Sequence, residues 1–540
     1  MTHYIFITGG VVSSLGKGLL AASIGMLLES RGFKIAMLKF DPYLNVDPGT
    51  MNPFEHGEVY VTDDGGETDL DLGHYYRFTQ SPLSRASNVT SGQIYHSVIR
   101  KERRGDYLGK TVQVIPHVTE EVKQRIIQCA NQKPGIDIVI IEIGGTIGDI
   151  ESQPFLEAIR QFRLEHPKDC ANLHLTYVPY LKAAGEIKTK PTQHSTQTLR
   201  GIGIIPDFIL YRSEKALEQA EKKKISLFCS VPETAVIEIL DVKNTIYELP
   251  LNLIQEELDE KLCSQLNLKG AERNITLWKK TLQAITHAKH ELCIALVGKY
   301  TKHKDAYKSV CEALFHAAAH CQVKLEIKEI DAEHLTDIKP CDGYLVPGGF
   351  GERGFNGKLA IAAHCRIHKI PYFGICLGMQ VMVIEFARSV LGLKEAHSTE
   401  VDPFTHHPII SLLAEQKNIS DLGGSMRLGA YHCLLEPNTR AAAAYAQTNR
   451  ISERHRHRYE FNNAYRAQCE QNGLIFSGKY PENDLAEIIE LADHPWMLGA
   501  QFHPEFQSKP TSPHPLFTAF IRAALTHKTS CSKLKPATVN

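Results

Sequence analysis

Cys376 stands among the residue types that a cysteine nucleophile needs. An apolar run over residues 370–373 leads into Gly374-Ile375-Cys376-Leu377-Gly378, and helical spacing follows from Gln380. A strand, a tight turn and a helix in that order form a nucleophile elbow, in which glycines allow the sharp turn and the thiol is exposed at the helix N-terminus. The helix N-terminus favours the thiolate, which is the attacking species. Because cysteine is also a common core residue, this motif alone leaves a structural role open.

A second stretch, Gln501-Phe502-His503-Pro504-Glu505, supplies a base and a carboxylate. On a strand, side chains two positions apart face the same side, so Glu505 can orient the imidazole of His503. We therefore predict a triad of Cys376, His503 and Glu505 for acyl transfer. In that chemistry the imidazole takes the thiol proton, the sulfur attacks a carboxamide, ammonia leaves and water hydrolyses the thioester.

Glycines and charged residues of the second half complete this predicted centre. Pro347-Gly348-Gly349 follows an apolar strand, so the amides of Gly349 and Leu377 can form an oxyanion hole. An arginine of the basic cluster at 453–460 can bind the α-carboxylate of an amino-acid amide, while a glutamate such as Glu400 can bind its α-ammonium. A nucleic-acid surface is the alternative for the basic cluster, but it requires a wider basic surface than this sequence offers.

The N-terminal part predicts a phosphate site. An apolar strand over 4–8 enters the glycine-rich stretch Gly9-Gly10-Val11-Val12-Ser13-Ser14-Leu15-Gly16-Lys17-Gly18, and a helical pattern follows. Backbone amides and the helix dipole then face the anion, and Lys17 reaches the outer phosphates. The match to a P-loop is imperfect, because Gly18 stands where Ser or Thr would bind magnesium and the spacing from Gly10 to Gly16 is one residue too long. A plain βα turn is the alternative.

Two acidic residues are the predicted metal ligands. Glu142 lies near the end of an unbroken apolar run, 136–143, which is typical of a parallel strand buried on both faces. Open α/β sheets bind ligands at this end of their strands, and a buried unpaired carboxylate is costly, so a metal or a basic partner is expected. Asp71 lies in the acidic loop 67–74. We predict that Asp71 and Glu142 hold Mg²⁺.

Two further basic stretches indicate a second nucleotide. Residues 188–193, with the sequence Lys-Thr-Lys-Pro-Thr-Gln, form a predicted loop that suits a triphosphate and a polar base edge, although a solvated basic turn has the same composition. Lysines 222–224 precede a strand-like run over 225–229. Two phosphate-binding loops in one domain suggest two nucleotides, one of which is a substrate.

Composition restricts the class of protein. The 540 residues carry a formal net charge of −1 and are 43% hydrophobic, as in an ordinary globular protein without a basic field for nucleic acid. The longest apolar runs are far shorter than a membrane helix requires. The 13 cysteines include no CxxC pair, so we expect free thiols in a reducing cytoplasm and no structural zinc site.

The order of strands and helices predicts an α/β protein with two domains, each an open, mostly parallel sheet with flanking helices. We place the first domain at 1–268, a polar helical linker at 269–290 and the second domain at 291–526, where a new strand and glycine turn begin. The Ser/Thr/Lys-rich tail, 527–540, is predicted to be disordered.

Together these motifs resemble a known enzyme family. Pro347-Gly348-Gly349, the Cys376 elbow and His503-Pro504-Glu505 are similar to a class I glutamine amidotransferase domain. The glycine-rich stretch resembles the amidoligase domain of the CTP synthase family, and so do residues 40–45, 67–74, 143–151, 188–193 and 454–460. The resemblance covers roughly residues 1–525, and Gly18 departs from the general P-loop but not from this family.

The resemblance implies a two-step ligase reaction. ATP phosphorylates the 4-oxygen of UTP, and ammonia from glutamine hydrolysis, passed internally between the domains, displaces the phosphate to give CTP. It also implies Mg²⁺ as cofactor, feedback inhibition by CTP, activation by GTP and a homotetramer built as a dimer of dimers. The implied partners are ATP, UTP, L-glutamine, CTP and GTP, with no nucleic acid and no membrane.

The resemblance also implies three groups of binding residues. ATP is expected at Ser14, Leu15, Gly16, Lys17, Gly18, Leu19, Asp71, Leu240, Asp241 and Val242. UTP, with CTP sharing part of its site, is expected at Ser13, Asp149, Ile150, Glu151, Lys188, Thr189, Lys190, Pro191, Thr192, Gln193 and Lys224. Glutamine is expected at Gly349, Leu377, Gly378, Met379, Gln380, Glu400 and Arg458.

Two rival functions keep some of these features. Amidases of corrinoid side chains also combine ATP with a triad glutaminase, but residues 188–193 and 40–45 match the UTP enzyme. A nucleotide-gated structural protein with an inactive glutaminase is disfavoured because Cys376, His503 and Glu505 are all present.

Overall fold

A computed structural model describes residues 2–299, 304–412 and 426–534 of the chain. These residues form two compact units. The first contains Met1–Thr50 and Glu67–Thr276, and the second contains Met51–Gly66 and Leu277–Asn540. The short segment 51–66 therefore departs from the continuous first domain that the sequence predicts, because its contacts are made within the second unit.

The described helices are α1 (Lys17–Glu29), α2 (Pro53–His56), α3 (Asp71–Phe78), α4 (Ser91–Arg104), α5 (Thr119–Ala130), α6 (Gln153–Glu165), α7 (Lys190–Gly201), α8 (Gln219–Cys229), α9 (Leu249–Gln255), α10 (Leu258–Gln265), α11 (Thr276–Thr286), α12 (Lys308–His320), α13 (Phe355–His368), α14 (Leu377–Ser389), α15 (Arg440–Ala444), α16 (Arg466–Gln471) and α17 (Pro515–Leu534).

The described strands are β1 (His3–Gly9), β2 (Ile35–Asp41), β3 (Tyr60–Val61), β4 (Glu67–Thr68), β5 (Asn88–Thr90), β6 (Ile138–Ile143), β7 (Cys170–Tyr177), β8 (Tyr180–Leu181), β9 (Glu186–Ile187), β10 (Phe208–Ser213), β11 (Val236–Leu240), β12 (His290–Gly298), β13 (Val323–Asp331), β14 (Gly343–Val346), β15 (Tyr372–Ile375), β16 (Ala396–Ser398), β17 (His407–Leu412), β18 (Arg427–Leu435), β19 (Arg450–His457), β20 (Tyr459–Phe461), β21 (Leu474–Lys479), β22 (Ala486–Leu491) and β23 (Met497–Ala500).

The first unit is built on a seven-stranded parallel sheet. Its strand order is β11-β10-β7-β1-β6-β2-β5. Every residue of β6 is buried, which explains its nearly continuous apolar sequence. The register places Glu142 beside Ile7 of β1 and Lys39 of β2. The carboxyl ends of these three strands therefore gather the glycine-rich loop and several charged side chains at one edge of the sheet.

The second unit is built on a nine-stranded sheet in the order β13-β12-β14-β15-β23-β22-β21-β18-β19. Pairing is parallel from β13 to β23 and antiparallel from β23 to β19. Strand β15 lies between β14 and β23, so the segments that follow these strands leave the same edge. This edge collects Gly348, Cys376 and His503.

The predicted α/β class with two domains is confirmed. The second sheet is parallel in only one half, because short turns join β21, β22 and β23, and antiparallel neighbours need no longer connection. Within the described residues, no helix combines the length and apolar character that crossing a membrane requires. All 13 cysteines are free thiols, as predicted.

Several local predictions are wrong. The run 225–229 is the end of helix α8, because the helix begins at Gln219 and continues through the three lysines before this run. Residues 190–193 form the first turn of α7, with Pro191 at a position where its missing amide costs nothing. Helix α17 continues to Leu534, so the predicted disordered tail is wrong from 527 to that residue, and 535–540 lie outside the described residues.

Candidate active sites

The glycine-rich loop joins β1 to α1 and curls through several left-handed residues. Backbone φ is 80° at Val11, 58° at Ser14 and 91° at Gly16, the residue before α1. Such turns direct successive amides to one side and form anion-binding concavities. Lys17 donates from Nζ to the carbonyl oxygen of Gly145 at 2.6 Å, which holds its amine at the mouth of the loop. Burial lowers the pKa of Lys17, and nearby Glu142 partly opposes this effect.

Gly18 is explained by its neighbour Asp71. A Cβ atom at Gly18 would overlap the carboxylate of Asp71, which comes from the first turn of α3. In the general P-loop a Ser or Thr hydroxyl at this position binds magnesium. Here a carboxylate occupies that place, so the departure from the P-loop pattern replaces a hydroxyl oxygen with an acidic one.

Lys39, at the end of β2, is surrounded by carboxylates. Its Nζ contacts Asp71 closely and lies 3.1 Å from Asp69, 3.6 Å from Asp41 and 3.9 Å from Glu142. Burial by itself would raise the pKa of Asp71, but Lys39 lowers it. Burial raises the pKa of Glu142 to about 7, with repulsion from Asp71 opposing the effect of Lys39.

This acidic cluster has more negative charge than its lysine neutralises. Burial also raises the pKa of Asp69 to about 7, since Asp41 and Asp71 repel its charge while Lys39 only partly compensates. Glu142 additionally accepts a hydrogen bond from the hydroxyl of Tyr75. Carboxylate oxygens with a surplus of negative charge suit a hard divalent cation. The residues present therefore fit Mg²⁺, with Asp71 and Glu142 as its candidate ligands.

Arg212 links two separate parts of the predicted ATP site. It donates from Nε to Oδ1 of Asp241 at 2.6 Å and from a terminal nitrogen to the carbonyl oxygen of Leu15 at 3.4 Å. Leu240 and Asp241 are exposed at the end of β11. The segment 240–242 is thereby held beside the glycine-rich loop.

Hydrogen bonds through His174 and close packing connect helix α7 to the glycine-rich loop. His174 bridges Thr8 at 3.0 Å and Ser195 at 2.8 Å, and burial lowers its pKa to about 3, so it is an uncharged link. A Cβ atom at Gly10 would overlap the Ser195 hydroxyl, which shows how closely the loop approaches α7. The first turn of α7, with four predicted UTP residues, is therefore held next to the glycine-rich loop.

In the second unit, Cys376 is the turn between β15 and α14. Its φ of 52° and ψ of −106° are costly for a residue with a Cβ atom. A Cβ atom at Gly374 would lie 2.5 Å from the backbone of Gly378, and one at Gly378 would overlap the carbonyl of Val346, so both glycines are required. The predicted elbow is present, but the predicted exposed thiol is wrong, because Cys376 is only 4% exposed.

His503 pairs with Glu505, and the Cys376 sulfur acts on its imidazole. The Nδ1 atom of His503 is 2.7 Å from Oε1 of Glu505. Burial alone would lower the pKa of His503, but the Glu505 carboxylate and the Cys376 sulfur raise it to about 10. The imidazole is therefore a strong base beside the thiol. Glu505 lies in a short 3₁₀-helix, Pro504–Gln507, so the prediction that strand geometry aligns the pair is wrong.

The loop after β14 approaches both His503 and Cys376. A Cβ atom at Gly348 would lie 2.8 Å from the His503 ring and 3.6 Å from Cβ of Cys376. Glu400 accepts a hydrogen bond from the amide of Gly351 at 2.7 Å. Burial raises the pKa of Glu400, while this amide, Lys299 and Arg458 oppose the shift. This loop thus brings Gly348 close to His503 and Cys376, and it binds the Glu400 carboxylate through the amide of Gly351.

Two buried polar residues hold this arrangement in place. Gln380 donates from Nε2 to the carbonyl oxygen of Tyr459 at 3.0 Å, which fixes the backbone next to Arg458. Gln501 donates to the sulfur of Cys376 at 3.7 Å and accepts from Gln380 at 3.2 Å. The Nε atom of Arg458 is buried and makes no hydrogen bond within the described residues.

Comparison with known proteins gives the family. Residues 3–268 match the family described as CTP synthase N-terminus, and residues 302–523 match glutamine amidotransferase class-I. A CTP synthase of Protochlamydia amoebophila is 61% identical over 98% of this chain and 99% of its own length. The chain belongs to the CTP synthase family. CTP synthases of Chlamydia pneumoniae and Bacillus velezensis are 59% and 55% identical, over 98% and 97% of this chain and 99% of each relative.

A solved structure is also similar to part of this chain. It is described as the glutaminase domain of Trypanosoma brucei CTPS with bound acivicin, and it is 38% identical. The alignment covers 44% of this chain and 94% of that chain, with a TM-score of 0.41.

The structure gathers most of the residues that the CTP synthase resemblance assigns to nucleotides. Leu15, Lys17, Gly18, Asp71 and Glu142 lie in or beside the glycine-rich loop, together with Ser13, Ser14, Gly16 and Leu19. Asp149 accepts from the amide of Thr146 at 2.6 Å and begins the turn that presents exposed Ile150 and Glu151.

For the other residues predicted to bind UTP, the structure shows contacts mainly with their own neighbours. Thr189 and Gln193 bond to each other at 3.0 Å, and Thr192 bonds to the carbonyl of Tyr177 at 3.2 Å. Lys188 pairs with Glu186 beside exposed Lys190. Lys224 lies exposed on α8, and the described residues show no hydrogen bond or ion pair between it and the glycine-rich loop.

The predicted glutamine residues differ in their surroundings. Gly349 lies next to the side chain of Leu377, the residue after Cys376, and the charges of Glu400 and Arg458 act on each other. Met379 is fully buried against Gly499, so its side chain is part of the core.

Sequence reasoning missed three residues of the first site. Lys39 and Asp41 lie in a strand that is otherwise apolar, Ile35–Asp41, and ionisable residues at the end of such a strand were the available signal. Asp69 lies two positions before Asp71 in the acidic loop.

Proposed function

We propose that the chain forms CTP in two steps at two centres, with UTP activated in the first unit and ammonia released in the second. Membership of the CTP synthase family makes it a glutamine-hydrolysing ligase with UTP, ATP and glutamine as substrates and CTP as product. The finer proposal assigns each step to residues described above.

In the first step the 4-oxygen of UTP attacks the γ-phosphorus of ATP, the bond to ADP breaks, and a 4-phosphorylated UTP results. A pyrimidine 4-oxygen is a poor leaving group until it is phosphorylated, and phosphoryl transfer depends on positioning and charge stabilisation. Lys17 and the left-handed loop hold the phosphates, while Asp71 and Glu142 would hold Mg²⁺. The ion would neutralise the charge that develops on the transferred group.

In the second centre His503 takes the thiol proton and the Cys376 sulfur attacks the carboxamide carbon of glutamine. Amides of Gly349 and Leu377 would hold the oxyanion. His503 then returns the proton to the leaving nitrogen, ammonia departs, and water hydrolyses the thioester to glutamate. Arg458 would bind the α-carboxylate of glutamine and Glu400 its α-ammonium.

Ammonia then attacks carbon 4 of the activated UTP and inorganic phosphate leaves with the original oxygen. Free ammonia is mostly protonated at neutral pH, so release in a buried centre keeps it nucleophilic. Passage of ammonia between the domains, feedback inhibition by CTP, activation by GTP and a homotetramer complete the proposal, and they are carried over from the family resemblance.

The observation that supports this proposal best is the carboxylate cluster around Lys39 and Gly18, next to a loop built for phosphate. The test uses UTP labelled with ¹⁸O at position 4, with ATP, magnesium and either glutamine or ammonium chloride. We expect CTP without label and inorganic phosphate that carries it. Label in water, with unlabelled phosphate, would show direct displacement by ammonia and would contradict the phosphorylated intermediate.

A further inference from the structure

Lys358, in the first turn of α13, is an unusual residue for a protein interior. Its side chain is fully buried, at 0% exposure, and its Nζ makes no hydrogen bond within the described residues. Lysine is among the residues least often buried, and a buried polar group without a partner is costly. A methionine would fill the same space without this cost, so packing alone does not explain a lysine here.

The amine of Lys358 faces the glutaminase centre. Its Nζ lies 3.8 Å from the position that a Cβ atom would take on Gly349, the predicted oxyanion residue. Lys299, whose amine donates to the carbonyl of Phe350, lies on the same side of this loop. The backbone that would hold the acyl oxygen is thus lined by two amines, of which that of Lys358 is fully buried.

Four ionisable groups act on Lys358 from different elements. Lys299 at the end of β12 and Arg353 before α13 repel a positive charge, while Cys376 and Glu400 attract one. Burial, with the repulsion from Lys299, lowers the pKa of Lys358 to about 7. At a pH close to its pKa, an amine gains or loses its proton in response to small changes in nearby charge.

Negative charge appears twice in the proposed glutaminase cycle, on the sulfur when Cys376 loses its proton and on the acyl oxygen of the tetrahedral intermediate. We propose that Lys358 is a positioning residue of the glutaminase centre, whose amine takes up a proton from solvent as these charges form and releases it when they disappear. This inference rests on the proposed triad. The thiol proton still goes to His503, so Lys358 changes only its own protonation and stabilises the charged states through their field.

The first test follows the rate of alkylation of Cys376 by iodoacetamide between pH 5.5 and 9, with the modified peptide identified by mass spectrometry. We compare the full-length protein with Lys358→Met, which has similar length, and with Lys324→Met, a control at an exposed lysine. For Lys358→Met we expect alkylation to be slower by roughly three- to tenfold near pH 7 and its pH profile to move to higher pH. A profile that coincides with that of the unmodified protein would overturn the inference.

A second measurement separates charge from packing. Between pH 7 and 10.5 the unfolded state binds the proton that folded Lys358 lacks, so this lysine destabilises the fold in neutral solution and less so as pH rises. Lys358→Met should therefore unfold at a higher temperature than the unmodified protein at pH 7, and the difference should shrink by pH 9.5. A difference independent of pH would contradict the buried neutral amine, and Lys358→Gln repeats the test if the methionine variant does not fold.

Different results would contradict the proposed triad and the proposed role of Lys358. If the unmodified protein releases no glutamate from glutamine, the proposed triad is wrong. If it does, but Lys358→Met changes neither the alkylation profile nor the pH dependence of kcat/KM for glutamine, only the role of Lys358 is wrong.

Discussion

The bond between His503 and Glu505 gives the sharpest quantitative prediction. It is 2.7 Å long and both residues are buried. A hydrogen bond to a charged group contributes about 1.5–3 kcal/mol, and one pKa unit corresponds to about 1.36 kcal/mol. Glu505→Gln keeps the shape but removes the charge, so it should lower the pKa of His503 from about 10 by about 1 to 2.

A weaker base takes the thiol proton less readily. We therefore expect glutamine hydrolysis by Glu505→Gln to have a kcat reduced roughly ten- to hundredfold, measured as glutamate release. CTP formation from ammonium chloride should be unchanged, because that reaction does not use the thiol. Glu326→Gln, at an exposed glutamate, is the matched control. Equal kcat values for Glu505→Gln and the control would refute the assignment of Glu505.

Glu505→Gln should also change how the stability of the fold depends on pH. The folded-state pKa of His503 is raised from 6.5 to about 10, so protonation of this residue stabilises the fold fully below pH 6.5, and the contribution disappears as pH rises towards 10. Urea unfolding should show a loss of stability in Glu505→Gln at pH 6 that shrinks by pH 9.5. A loss that grows with pH would contradict the raised pKa.

Three further predictions concern other parts of the chain. Arg427→Met should lower the free energy of unfolding by about 3–5 kcal/mol, measured in urea, because it leaves buried Glu460 and Glu487 without the partner that bonds them at 2.9 and 2.8 Å. Glu142→Gln should raise the magnesium concentration needed for half-maximal CTP formation roughly tenfold or more, without changing glutamate release. Gly18→Ser should abolish CTP formation from ammonium chloride while keeping glutaminase activity, since its Cβ atom overlaps the Asp71 carboxylate.

Each of these predictions has an outcome that contradicts it. Unchanged stability of Arg427→Met would mean that the two glutamates are protonated or solvated without it. An unchanged magnesium dependence in Glu142→Gln would remove Glu142 from the metal site. Full activity of Gly18→Ser would show that Asp71 does not need its present position.

The sequence predicts the parts of both sites that depend on local patterns. Glu142 could be found because an acid near the end of an apolar run is conspicuous, and Cys376 because glycines flank it. Their neighbours depend on contacts between distant segments. Nothing in the spacing tells that Asp71 occupies the place of a P-loop hydroxyl at Gly18, or that Lys39 lies among four carboxylates.

Other errors have the same physical origin. Burial of Cys376 follows from packing of the second sheet and not from its motif. Residues 225–229 are apolar enough for a strand, but the polar residues before them extend a helix. The segment 51–66 joins the second unit through contacts such as the 2.6 Å bond from Arg454 to Asp63, which no local pattern indicates.

The central claim is that one chain contains two chemically separate centres, and Cys376→Ala tests it most directly. CTP formation is measured with ATP, UTP and magnesium, once with glutamine and once with ammonium chloride as the nitrogen source. The account predicts that the variant loses the glutamine-dependent reaction and keeps the ammonium-dependent one at the rate of the unmodified protein. Loss of both reactions in a folded variant, or retention of the glutamine-dependent one, would contradict it.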